Sequence, residues 1–337
     1  MAYKVAVLMG GNSFERDFSL ASGKHVIKAL EREGHTVLPL DTTPALVDIL
    51  RTEKPDVAYI ALHGGHGEDG TIQALLEYLA IPFVGSPSAV CRTTWNKSML
   101  PIVIWSHRAG GTTATGPASW PKAVSLSKTA FKDLGAASAL TLVTERIPSG
   151  YPYAVLPASG GSAMGISKVG APEQLASALL DALSFDDEVL IEEWISGVEL
   201  AVCIMGAGKT ARVLSSVEIC TRGGFFSTEV RVDPDLYEYH APVRADALSA
   251  DPKEAERIRE LIEAAALEVH RSFGCRDLSR VDCFWDGTEV KVLECNVSPG
   301  MAQLSLFPLA AEAAGLGFGA LLSQMLDVAV ARGCSLA

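Results

Sequence analysis

Apolar positions in the first ninety residues follow two alternating rhythms. Val5-Ala6-Val7-Leu8-Met9 is an unbroken apolar run of strand length, and Asp56 to Leu62 repeats it. Val37 to Leu40 and Pro82 to Val84 read as further strands. Between them the spacing becomes helical: Val26, Ile27 and Leu30 mark one stripe of a helix ending near Arg32, and Pro44 to Glu53 and Thr71 to Leu79 read as two more. Strands alternating with helices across short links predict a parallel sheet covered by helices. From 91 to 187 the pattern is less regular. Residues 107 to 120 read as loop, Tyr153 to Leu156 and Ile166 to Val169 as strands around a glycine-rich turn, and Pro172 to Leu183 as a helix. From 188 onward come long apolar strands at Val189 to Ile195, Leu200 to Met205 and Val213 to Ile219. A helix at Pro252 to Phe273 follows, and two helices near Leu306 to Ala314 and Gly317 to Ala331 close the chain. The expected class is α/β: an N-terminal parallel-sheet domain over 1–95, then two α+β lobes over 96–187 and 188–337.

The pattern places chemistry near the end. Arg280-Val281-Asp282-Cys283-Phe284 and Val292-Leu293-Glu294-Cys295-Asn296 read as two strands joined at Asp286-Gly287. Period two puts Arg280 and Asp282 on one face and Glu294 and Asn296 on one face of the partner. If these faces coincide, two carboxylates, an amide oxygen and a guanidinium converge. An oxygen-only set suits Mg²⁺ or Mn²⁺ rather than zinc, and magnesium held by few protein oxygens usually also binds substrate phosphates. The competing reading is a surface hairpin with its charges in water.

Composition narrows the classes. A chain of 337 residues, 48% hydrophobic and 20% charged, is long enough for two or three domains. Its net charge of -12 argues against a nucleic-acid or anionic-membrane partner. No apolar run reaches membrane-spanning length, and Met1-Ala2-Tyr3-Lys4-Val5 lacks a signal-peptide pattern, so a cytoplasmic protein is expected. The seven cysteines form no CxxC pair; Cys203, Cys283 and Cys295 fall inside strand patterns and read as reduced core residues.

Two loops follow strand ends, where open α/β sheets bind ligands. One is Gly10-Gly11-Asn12-Ser13-Phe14-Glu15-Arg16, whose Glu15 either meets a substrate cation or complements a helix start. The other is His63-Gly64-Gly65-His66-Gly67-Glu68-Asp69-Gly70, a substrate loop or, alternatively, a metal site. Ser159-Gly160-Gly161-Ser162-Ala163-Met164-Gly165 lies between strands and lacks a Walker ending; it covers phosphates or is a plain turn.

Together these segments resemble the D-alanine–D-alanine ligases of the ATP-grasp superfamily. The resemblance spans nearly the whole chain. Its motifs are Gly-Gly-x-Ser-x-Glu-Arg with Ser19-Leu20-x-Ser22-Gly23, then His63-Gly64-x-x-Gly67-Glu68-Asp69-Gly70-x-Ile72-Gln73. The third is Arg280-Val281-Asp282-x-Phe284 through Glu294-x-Asn296-x-x-Pro299-Gly300-Met301-x-x-x-Ser305-Leu306. It implies a two-lobed ATP-grasp region after the N-terminal domain, and ATP-dependent ligation of two D-alanines through an acyl phosphate for peptidoglycan precursors. It also implies small-molecule amino-acid substrates and a homodimer. Lys97 would contact phosphates, and Glu192, Glu193 and Ile195 would supply the adenine-binding linker, with Glu199 on the ribose. Asp282, Glu294 and Asn296 would hold two Mg²⁺ ions. Glu15 would pair with the first amino acid's ammonium near His63, and Ser162 would link the glycine loop, acting as a lid, to Glu15. Arg280 and the Gly300 N–H would face the acyl phosphate and the tetrahedral intermediate. Ser305, the Leu306 N–H and Arg231 would meet the second amino acid.

Two departures carry consequences. The family's lid follows a strand ending in Lys-Pro, whose lysine contacts ATP phosphates; here Leu156 precedes Pro157. The family's Glu-Ala-Lys-Tyr loop reads Glu229-Val230-Arg231-Val232. These changes fall on ATP grip and acceptor choice. They leave open a related ligase with D-serine, D-lactate or another acceptor, and a non-catalytic homologue.

Overall fold

The computed structural model describes residues 1–110, 115–222, 230 and 233–334. The N-terminal part runs β1 (Lys4–Leu8), α1 (Arg16–Arg32), β2 (Thr36–Leu40), α2 (Leu46–Glu53), β3 (Val57–Ile60), α3 (Thr71–Tyr78) and β4 (Phe83–Val84). The strands form a parallel sheet ordered β2-β1-β3-β4, as the alternating rhythm predicts. Every residue of β3 is buried and β1 is buried from Val5 onward, which explains why neither alternates polar with apolar.

Then follow α4 (Ser88–Trp95), α5 (Met99–Gly110), β5 (Ala118–Ser119), β6 (Ala123–Ser127), α6 (Lys128–Arg146), β7 (Tyr153–Pro157), β8 (Ser167–Val169), α7 (Pro172–Ala182) and β9 (Glu188–Glu193). A second sheet has the order β6-β9-β7-β8, with all its pairings antiparallel. The rest comprises β10 (Val198–Met205), β11 (Arg212–Thr221), β12 (Tyr237–His240), α8 (Ala245–Leu248), α9 (Pro252–Phe273), β13 (Leu278–Trp285), β14 (Val290–Asn296), α10 (Leu306–Ala313) and α11 (Phe318–Arg332). The third sheet is ordered β12-β11-β10-β13-β14-β5, so β5 crosses over to pair in parallel with β14. The mixed α/β class is as expected. Among the described residues no single helix is long and apolar enough to cross a membrane.

Helix α9 shows how local sequence sets boundaries. Asp251 caps it by accepting the Lys253 N–H at 3.0 Å, Pro252 opens it, and Gly274 closes it with φ 73°. Its stripe of Ile258, Ile262, Ala265, Ala266 and Val269 packs under the third sheet.

Helices α4, α5 and α6 are not visible in the apolar pattern. Helix α4 buries Ser88, Cys91 and Thr94, a face without an apolar stripe. Helix α5 is apolar on several sides, with Leu100 and Ile104 buried but Ile102 and Trp105 exposed, so no period stands out. It also carries the chain helically to Gly110, correcting the loop expected to start at 107. Helix α6 is broken by Gly135, whose φ of 73° and ψ of 165° are not helical.

Candidate active site

A cleft of about 610 Å³ opens where the three sheets meet. Glu15, His63, Lys97, Ser162, Glu192, Glu193, Ile195, Glu199, Arg280, Asp282, Glu294, Asn296, Gly300, Ser305 and Leu306 all line it. Arg231 lies outside the described residues. Residues to which the sequence reading gave no role also face the cleft: Phe18, Phe284 and Leu304. Phe18 lies one helical turn beyond Glu15, and Phe284 shares the period-two face of Asp282, so spacing alone could have found both.

At one end the β13–β14 hairpin brings the acid set together. Antiparallel register places Asp282 opposite Glu294 and Arg280 opposite Asn296, with an irregularity just after Asp282. Arg280 grips Asp282 bidentately, Nε to Oδ1 at 2.7 Å and Nη2 to Oδ2 at 2.8 Å. Lys97 Nζ lies 3.0 Å from Glu294 Oε2 and donates to the Gly160 carbonyl at 2.5 Å. Arg280 Nη2 stands 3.7 Å from Glu294 Oε1.

The electrostatics show a site loaded with acid. Burial pushes the Asp282 carboxyl up, against the pull of Arg280, while Glu294 beside it adds repulsion. Burial also opposes ionisation of Glu294, but Lys97 and Arg280 outweigh it and hold that carboxyl low. Burial raises Glu192 to about 7 and Glu199 to about 8. Among the described residues Lys97 and Arg280 are the only Lys or Arg side chains on the cleft wall, and both already serve these carboxylates. Two facing carboxylates with an amide on one hairpin, neutralised by side-chain cations, match a site for divalent ions shared with phosphates. Among the described residues no three His, Cys, Asp or Glu side chains form a metal cluster, so the alternative at His63 and His66 finds no support.

At the other end Glu15, buried at the start of α1, accepts a hydrogen bond from Ser162 Oγ across the cleft. Ser162 and Ala163 sit in the left-handed region at φ 56° and 57°, a backbone cost offset in part by the Ser162–Glu15 hydrogen bond across the cleft. Phe14 meets Phe185 edge to face at 6.1 Å beside this contact. Gly64 has φ +73°, and a Cβ there would stand 2.7 Å from Glu15 Oε2, so the glycine makes room for the carboxylate.

Comparison with known proteins identifies the family. The family described as D-ala D-ala ligase C-terminus matches residues 126–327, and D-ala D-ala ligase N-terminus matches 47–86. The chain is 35% identical to a D-alanine–D-alanine ligase of Geobacter sulfurreducens, covering 96% of this chain and 93% of that protein. It is 33% identical to the D-alanine–D-alanine ligase of Desulforudis audaxviator, covering 98% and 100%. Its structure resembles the D-alanine–D-alanine ligase of Bacillus anthracis complexed with ATP, at TM-score 0.75 and 27% identity over 98% of both chains. It also resembles the VanG D-Ala:D-Ser ligase of Enterococcus faecalis, at TM-score 0.76 and 25% identity over 98% and 100%. Fold, cleft and relatives converge: the chain belongs to the D-alanine–D-alanine ligase family, ATP-dependent ligases of the ATP-grasp fold.

Proposed function

We propose that this enzyme joins two D-alanines at the expense of ATP, in the cytoplasm, for peptidoglycan precursors. The observation that carries the reading is one cleft with the Asp282–Glu294 pair at one end and the Glu15–Ser162 pair at the other. In this reading ATP lies between the second and third sheets, with Glu192, Glu193 and Ile195 along the adenine, Glu199 at the ribose and Lys97 at the phosphates. Asp282, Glu294 and Asn296 would hold two Mg²⁺ or Mn²⁺ ions. Such ions, when bound, supply charge neutralisation to the transferring phosphoryl group. Glu15 and His63 hold the first amino acid; its carboxylate attacks the γ-phosphorus and ADP leaves, giving an acyl phosphate, from which the second amine displaces inorganic phosphate and loses a proton to form the peptide bond. Arg280 and the Gly300 N–H face the charge that develops when the second amine attacks. Ser305 and the Leu306 N–H, with Arg231, take the second carboxylate. The Ser162 turn shields the acyl phosphate from water.

The working units we propose are 1–95, 96–187 and 188–337. Strands β5 and β9 are exchanged between the last two sheets and stitch those units together. A homodimer is carried over from the family resemblance.

The test is phosphate release with ATP and Mg²⁺ across D- and L-amino acids and D-lactate, with products identified by mass. D-alanine-dependent release with D-alanyl-D-alanine is expected. A D-serine or D-lactate product would change the acceptor, and no turnover with any pair would overturn the ligase reading. Glu15→Gln should raise KM for the first amino acid about tenfold or more, the scale of one charge-assisted contact, and leave the second much less affected. Equal weakening at both subsites in initial-rate kinetics would remove Glu15 from its role.

A further inference from the structure

Ser22 of α1 is almost wholly buried. Its hydroxyl joins two parts of the site. Its Oγ accepts the Met301 N–H at 3.0 Å and lies 2.9 Å from His63 Nε2. The other ring nitrogen, Nδ1, faces the Ser298 carbonyl oxygen at 3.1 Å, with Glu68 Oε1 at 3.5 Å. Both are acceptors, so Nδ1 carries the proton and Nε2 offers its lone pair to the serine. The hydrogen bonds then run in one direction, from Met301 N–H to Ser22 to His63 to Ser298. The same helix holds the other side of Met301, because His25 Nδ1 donates to the Met301 carbonyl at 2.7 Å while its ring stacks on Phe318 at 4.5 Å.

We infer that Ser22 is a positioning residue that sets the His63 tautomer and the placement of the Gly300–Met301 turn together. Ser22 lines the cleft but is almost wholly buried, and its hydroxyl is engaged by His63 and the Met301 N–H. It fixes the ring beside the first amino acid and the peptide following Gly300, so both ends of the acyl-transfer step keep one geometry. The inference rests on the proposed roles of His63 and Gly300. It gives Ser22 a part distinct from that of Ser19, whose hydroxyl serves the Gly10 N–H and the Ala61 carbonyl.

The experiment uses the full chain with ¹⁵N-labelled histidine, the His63 signals being assigned by comparison with His63→Gln. The wild type should show Nδ1 protonated and Nε2 unprotonated. In Ser22→Ala the Nε2 resonance should move toward the position of a nitrogen that accepts no hydrogen bond. kcat should fall about 10- to 100-fold, as expected for a misplacement of order 1 Å, with KM for ATP unchanged within about twofold. Ser22→Cys keeps the volume, covers the case in which the alanine variant fails to fold, and should move both readouts the same way. A protonated Nε2 in the wild type, or kcat within about twofold of wild type in both variants, overturns the inference. If the wild type makes no dipeptide from any pair, the functional reading fails, and the tautomer of His63 in wild type and variants still decides the relay.

Discussion

Glu294→Gln is expected to lower dipeptide formation by about 10³-fold or more while the chain still folds. The substitution keeps the size of the side chain and removes one negative charge from the pair that faces Asp282. Glu294 is where the two cations of the cleft meet, Lys97 at 3.0 Å and Arg280 at 3.7 Å. With the charge gone, a divalent ion at this site would lose one of two carboxylates, and Lys97 would lose its nearest carboxylate while keeping the Gly160 carbonyl. The fold should survive because β14 is held by its ladders to β13 and β5 and by the buried Val290, Val292 and Cys295 on its inner face. Three measurements check this: single-turnover phosphate release, calorimetric Mg²⁺ titration in the presence of ATP, and a thermal melt. Turnover within tenfold of wild type would mean that this hairpin is not the phosphoryl-transfer centre.

The hairpin also shows what can be read from sequence. Its two strands, the turn at Asp286-Gly287 and the shared face of Arg280, Asp282, Glu294 and Asn296 follow from period two and a turn signal. The N-terminal βα rhythm and α9 are legible for the same reason, since one face of each helix is apolar and each end is punctuated. Helices α4 to α6 are not, because a buried face of Ser88, Cys91 and Thr94 leaves no stripe and Gly135 interrupts the longest of them. The meeting of Glu15 with Ser162 is a long-range contact between two sheets, with nothing local in the sequence to announce it. Motif resemblance alone brought those two residues together. The relay through Ser22 needs distances, because a serine at that place is equally consistent with a helix-face residue in water.

Leu156→Lys is expected to tighten ATP by about 1 to 3 kcal/mol, or about 5- to 150-fold. Resemblance places a lysine here, and two observations make the position fit for one. Leu156 is buried yet lines the cleft, so its side chain points to where a nucleotide would lie rather than into the apolar core beneath β7 that contains Val155 and Ile191. The β7–β9 register then sets Ala154 opposite Glu192 and Leu156 opposite Leu190, making Glu192 a diagonal neighbour on the same face. Burial now raises Glu192 to about 7, and an ammonium nearby would draw it back down. Glu192 would then ionise more fully beside the new lysine, which offsets part of the cost of burying the lysine's charge. Among the described residues no other cation takes the place: Lys168 sits over the Trp194 ring at 4.3 Å and does not line the cleft. Calorimetry with Mg²⁺–ATP reads the affinity, and a thermal melt reads the cost. Glu192→Gln in the same background separates two origins of the gain. A phosphate contact survives the double substitution, whereas relief of Glu192 alone does not. A lower melting temperature with unchanged ATP affinity would show that Leu156 is a packing residue and that the phosphates rely on Lys97 and the divalent ions.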